Sequence, residues 1–82
     1  MFYVYIIYSK QVDRYYVGQT DDLEDRLHSH LSGISSYTSI SKDWKLVYSE
    51  EYKTREDAIR RENEIKRKKS RRYIEWLIEN KE

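Results

Sequence analysis

Residues 2–9, FYVYIIYS, form an unbroken run of β-branched and aromatic side chains without Gly or Pro. Such a run predicts a strand covered on both faces. The polar KQVDR of residues 10–14 reads as a turn, after which RYYVG resumes strand character. Residues 2–9 and 14–18 are therefore expected to pair as an antiparallel hairpin, with Gly18 either ending the ladder or admitting something close to the backbone. Thr20, Asp21 and Asp22 supply an N-cap, and Leu23, Leu27 and Leu31 follow at four-residue spacing until Gly33, a suitable residue after a helix end. A short amphipathic helix is predicted. The serine-rich GISSYTSISKD of residues 33–43 has no usable period and reads as a loop, and WKLVYSEEY of residues 44–52 reads as a third strand. Thr54, with Glu56 and Asp57 behind it, opens a second helix that runs to about Lys69. Ser70 caps a third, whose apolar face is Ile74, Leu77 and Ile78 with Tyr73 and Trp76 alongside. The order β-β-α-β-α-α predicts an α+β sandwich-like fold, a three-stranded antiparallel sheet flanked by helices, within one domain spanning residues 1–82.

Composition narrows the function class. The chain has no cysteine, which excludes a disulfide framework and a thiolate metal site and suits a reducing compartment. No signal peptide and no apolar run of transmembrane length is visible, so a cytoplasmic location without membrane contact is expected. Charged residues make up 38% of the sequence yet nearly cancel, leaving +1. Their distribution is uneven. Arg55 to Arg72 carries nine Lys/Arg against four Asp/Glu, whereas the segments on either side are acidic. Within it, KRKKSRR of residues 66–72 places six cations in seven positions. Lys66, Arg67, Lys68, Lys69, Arg71 and Arg72 would neutralise phosphates without reading bases, or else form a solvated charged face. Nine tyrosines against one phenylalanine predict a core of amphipathic rings, or a polar cleft lined with phenols.

Three polar residues sit against the apolar pattern. At roughly 100° per residue, His30 lies near −20° and Arg26 near −60° from Leu23, so both edge the predicted leucine stripe. Either could snorkel or be a satisfied boundary residue. In the second helix Glu62 falls inside the arc of Ala58, Ile59 and Ile65. A desolvated carboxylate needs a partner, either a structural one such as Arg26, a tyrosine or Lys66, or Mg²⁺ or Mn²⁺. Tyr3 and Tyr5 share a face of the first strand, and Tyr16 precedes Gly18 on the second. An aromatic ladder explains that placement. So does phosphodiester cleavage, which uses a phenol near the nucleophile, a cation for developing charge and a metal on the leaving oxygen.

The ordered set VYI (4–6), YVG (16–18), L-x-x-R-L-x-x-H from Leu23 to His30 and A-x-x-x-E-x-x-I-K from Ala58 to Lys66 resembles the GIY-YIG nuclease superfamily. It is most similar to the small stand-alone members related to the N-terminal endonuclease domain of the bacterial repair excinuclease. The likeness extends over SG-x-x-SYT (32–38) and WKLVY (44–48). It implies the GIY-YIG endonuclease fold and a one-metal cut of a phosphodiester bond, in DNA with RNA left open, in a repair or recombination setting. It also implies a site. Tyr5 and Tyr16 match the two motif tyrosines, Arg26 the helix arginine that stabilises the phosphate, Glu62 the metal-binding glutamate, and His30 a histidine or tyrosine near the nucleophile. Gly18 matches the glycine that brings the backbone close to the site. Tyr3 replaces the first motif's glycine, and Gln19 stands where the excinuclease branch has a lysine, which assigns Gln19 to nucleic-acid contact along with the 66–72 cations. No counterpart is present for the asparagine that some members carry after the last core helix. The competing expectation is a nucleic-acid-binding module with negligible turnover that keeps only the basic patch.

Overall fold

The computed structural model describes residues 1–32 and 38–80. β1 (Phe2–Ser9) is the middle strand of the sheet, with β2 (Arg14–Thr20) on one side and β3 (Lys45–Tyr52) on the other, both antiparallel. α1 (Leu23–Leu31) follows β2, a short 3-10 turn covers Thr38–Ile40, and α2 (Arg55–Lys68) and α3 (Arg71–Glu79) complete the order β-β-α-β-α-α. The predicted loop is thus tested only in part, because residues 33–37, Gly33 among them, lie outside the described residues.

β1 lacks alternation because both of its faces are packed. Val4 and Ile6 pack with Val17, Ala58, Ile65 and Leu77 on the face that carries α2 and α3. Tyr5 and Ile7 pack on the other face with Trp44, Tyr16, Leu23 and Leu27. Both faces are covered, so neither parity can be polar. β2 runs two residues past its predicted end, because Gly18 pairs with Tyr5 and the ladder continues through Gln19 and Thr20. The β1–β3 register shifts by one residue between Ile6 and Ile7, a bulge that places Tyr48 opposite Ile6 and Leu46 opposite Ile7.

Each helix begins where a side-chain oxygen can take an orphan amide. Asp22 accepts from the Asp25 N–H at 3.1 Å, Thr54 from that of Asp57 at 3.2 Å and Ser70 from that of Tyr73 at 3.2 Å. α2 stops at Lys69, which takes the left-handed conformation (φ 47°), and the cap of α3 is the very next residue. The leucine stripe on α1 is displaced from its predicted position. Leu31 is 37% exposed, while His30 is fully buried and takes the third core position. Seven residues from Leu23 is nearer a whole number of helical turns than eight, so His30 continues the buried line better than Leu31.

Most tyrosine hydroxyls find a partner at the margin of the core. Tyr52 donates to Glu50 at 2.6 Å, Tyr48 donates to the same carboxylate, Tyr8 to Asp13, and Tyr73 accepts from Arg61 at 3.1 Å. Among the described residues no helix is long and apolar enough to cross a membrane.

Candidate active site

β1, β2 and α1 bring four of the sequence-predicted residues into one cluster. The Tyr5 hydroxyl lies 2.8 Å from His30 Nε2 and accepts from Arg26 Nε at 3.3 Å. Tyr16 meets the imidazole edge-on, with ring centroids 4.9 Å apart, and its ring is 6.3 Å from that of Tyr5. The spacing of α1 makes this possible, since Arg26 and His30 lie one turn apart on the face turned to the sheet.

Burial sets the protonation of the cluster. Tyr5 is 2% exposed, and that burial pushes its phenol up to about 12, with the Arg26 hydrogen bond opposing the rise. His30 is lowered to about 4, first by burial and then by the positive charge of Arg26. Arg26 is held above its ordinary value, chiefly by its hydrogen bond to Tyr5 and further by Tyr16. At neutral pH the imidazole is uncharged and the phenol protonated. Arg26 can only donate to the Tyr5 oxygen, which also meets His30 Nε2 at 2.8 Å. The cluster is a hydrogen-bonded chain of guanidinium, phenol and imidazole. Tyr5 and His30 are sealed inside, whereas Tyr16 and Arg26 are half-buried and face outward from them.

Gly18 owes its place to Tyr5. A Cβ on Gly18 would stand 2.6 Å from the Tyr5 oxygen, 2.8 Å from its Cζ and 3.1 Å from Tyr16 Cε1. Only a residue without a side chain lets the first phenol lie across β2. The close-approach reading of Gly18 holds, and the alternative that it ends the ladder does not.

Glu62 enters from the other layer. Its side chain is 16% exposed and bound to Lys66 Nζ at 2.6 Å, one helical turn on. Its charge reaches the Tyr5 phenol and contributes to the rise there. The apolar arc predicted around Glu62 is rotated, because Ile59 is 39% exposed and Arg61, on the opposite flank of Ala58, turns inward instead. Arg61 bonds both oxygens of Glu50 at 2.9 and 3.2 Å. Glu62 therefore borders the buried face of α2. Among the described residues no group of three or more His, Cys, Asp or Glu could hold a metal ion, so Glu62 belongs to no cage of three or more such side chains. That donor set fits a cation such as Mg²⁺, which keeps most of its water when bound through one or two carboxylates.

The basic segment divides by what its members touch. All six cations are exposed. Arg71, however, bonds Asp13 Oδ1 at 2.6 Å and Glu75 at 3.3 Å and stacks over Tyr15, so it ties α3 to the hairpin. Lys68 lies over the Tyr73 ring. A groove of about 620 Å³ opens between β2 and the α2–α3 junction, rimmed by Arg14, Lys66, Lys69 and Arg71 with Tyr16 on its wall. Arg67 lines a second groove, of about 530 Å³, with Arg60, Lys66 and Lys69. Arg72 is exposed on α3. Gln19 accepts from Arg55 at 3.3 Å and pairs with Val4, on the sheet face opposite Tyr5, so it stands apart from the cluster. Arg14 is the feature that the residue pattern did not single out, whereas the Lys66–Glu62 contact is one of the structural partners expected for that carboxylate. That contact follows from spacing, since a Glu followed by Lys four residues later pairs on a helix surface.

The profile of the GIY-YIG catalytic domain matches residues 1–74, a span that holds the whole cluster and Glu62. A UPF0213 protein of Streptococcus pneumoniae is 35% identical over 81 residues, covering 98% of this chain and 81% of that one. The UPF0213 protein YazA of Bacillus subtilis is 30% identical over 84 residues, covering 98% and 84%. A UPF0213 protein of Staphylococcus saprophyticus is 38% identical over 65 residues, covering 78% of each. No solved structure matches the chain. With the three-stranded sheet, the β-β-α-β-α-α order and the match over residues 1–74 in agreement, the chain belongs to the GIY-YIG family, whose catalytic domain implies nuclease activity on nucleic acid.

Proposed function

We propose that residues 1–82 work as one domain that hydrolyses phosphodiester bonds in DNA with the help of one divalent metal. The observation that carries the reading is the convergence of Tyr5, Tyr16, Arg26 and His30 within hydrogen-bond and ring contact, with Lys66 linking the Glu62 carboxylate to the Tyr16 ring. Tyr16, the outward-facing phenol, orients the attacking water. Arg26 meets the phosphate oxygens as negative charge builds on them, while its Nε stays on Tyr5. Tyr5 and His30, buried behind them, hold the guanidinium and Tyr16 in place. Glu62 would hold the Mg²⁺ or Mn²⁺, which when bound neutralises charge on the leaving 3′ oxygen. Recognition is by backbone or nucleic-acid shape, because the exposed cations of residues 66–72 engage phosphate and carry no base code. That profile suits repair or recombination intermediates.

The test is a cleavage assay on structured DNAs and RNAs with Mg²⁺, with Mn²⁺ and with chelator. Cleavage that needs metal and falls at least ~100-fold in Arg26→Ala supports the reading. Glu62→Ala cleaving as fast as wild type removes the metal role. Salt-sensitive binding without any cleavage favours the second reading, a binding module, to which the exposed cations around the two grooves give some support.

A further inference from the structure

Lys66 belongs to the basic run, but its side chain joins both halves of the candidate site. Its ammonium contacts Glu62 at 2.6 Å and lies 6.0 Å from the centroid of the Tyr16 ring. Glu62 is 16% exposed and Lys66 is 48% exposed, so the carboxylate is the more withdrawn member of the pair. An ionised carboxylate withdrawn from water needs a counter-charge. A second cation arriving at the same oxygens would be repelled by the ammonium across a few ångströms. Lysine suits a contact that must be given up, since it is a compact charge on a flexible stem with no fixed fork geometry.

We propose that Lys66 is a displaceable counter-ion. It holds the Glu62 carboxylate until a hydrated divalent cation takes its place, and the released ammonium then stands beside the phosphate at Tyr16. The inference rests on Glu62 being the metal ligand. It gives Lys66 a role distinct from the other five cations of the run, as the residue that sets how readily metal loads. The groove rimmed by Lys66, Lys69, Arg14 and Arg71 gives the released side chain a place to contact a bound backbone.

Mn²⁺ binding to the protein without nucleic acid, followed by calorimetry or water-proton relaxation, tests this in wild type, Lys66→Met, Lys66→Arg and Glu62→Gln. Lys66→Met is expected to bind Mn²⁺ roughly fivefold more tightly than wild type, the scale of one lost ion pair. Lys66→Arg restores a competing charge and returns the affinity toward wild type, and Glu62→Gln abolishes binding. At saturating Mn²⁺ the Lys66→Met protein cleaves at least ~10-fold more slowly, so affinity and turnover move in opposite directions. A lysine with a structural role alone would lower both. Equal Mn²⁺ affinity in wild type and Lys66→Met, with binding still lost in Glu62→Gln, overturns the counter-ion role and leaves the metal reading standing. Mn²⁺ binding that is indifferent to Glu62 overturns the metal reading itself.

Discussion

Tyr5 and Gly18 face each other across the hairpin so closely that a methyl group on Gly18 would stand 2.6 Å from the phenolic oxygen. That oxygen is the midpoint of the chain from Arg26 to His30, so it cannot move without loosening both bonds. Gly18→Ala is expected to cost about 1–3 kcal/mol, as overpacked cores do, and to lower cleavage more than urea denaturation alone would explain. Unchanged turnover in a folded Gly18→Ala protein would show that the Tyr5 position is not critical.

His30 makes stability depend on pH in a defined window. Its folded value, about 4, lies below the ordinary 6.5, so between those values the unfolded chain binds the proton and the folded chain does not. Stability therefore rises with pH across the window, is complete above it, and is reduced by about 2–3 kcal/mol near pH 4. Urea denaturation of wild type and His30→Gln at pH 4.5 and pH 7 isolates this contribution. The pH dependence in excess of the variant's should vanish if the imidazole is not the titrating group. Asp43 acts lower still. Hydrogen bonds from Ser41 and Ser9 hold it at about 2, so the stability it brings is present above the ordinary carboxylate value and is lost as pH falls toward 2.

Two neighbouring charges on α2 have opposite burdens. Arg61 is 18% exposed and bridges Glu50, Glu64 and Tyr73, so Arg61→Ala leaves Glu50 among phenols without its cation. We expect a loss of about 2–4 kcal/mol, near the range for breaking a buried pair. Glu62→Gln gives up one i,i+4 pair whose lysine is 48% exposed, keeps the shape of the side chain, and should cost no more than about 1 kcal/mol while cleavage falls. Denaturation and activity measured on both variants separate the stabilising residue from the site residue.

The basic run should divide in solution as it divides by contact. Neutralising Lys69 or Arg72 is expected to reduce the slope of log affinity against log salt by about 0.7–0.9 per residue, with little change in stability. Arg71→Ala should lower stability more than the salt slope, because its charge is already committed to Asp13 and Glu75. Equal effects of all three substitutions on the slope would mean that Arg71 leaves those carboxylates to meet phosphate.

The strands and caps are legible in the sequence because they depend on near neighbours. Thr54 and Ser70 cap their helices as read, and FYVYIIYS is a strand with no free face because apolar groups pack against it from both sides of the sheet. Residues whose placement depends on distant partners are read less well. Leu31 outranks His30 on any hydrophobic scale, yet His30 is buried because the Tyr5 hydroxyl, 25 residues away, satisfies its ring nitrogen. Arg61 turns inward toward Glu50, a partner that no helical period can reveal. Glu62 stands out in the sequence for its position among apolar residues, and in the fold it lies at their border with a lysine beside it.

The corner between α2 and α3 has its own consequence. One left-handed residue, Lys69, joins the last turn of the first helix to the cap of the second, with no slack between them. Fraying of either end removes the geometry on which the other end depends. The amide hydrogens of both helices should therefore exchange with solvent through a shared opening, a single cooperative unit that links the basic segment to the turn carrying Glu62.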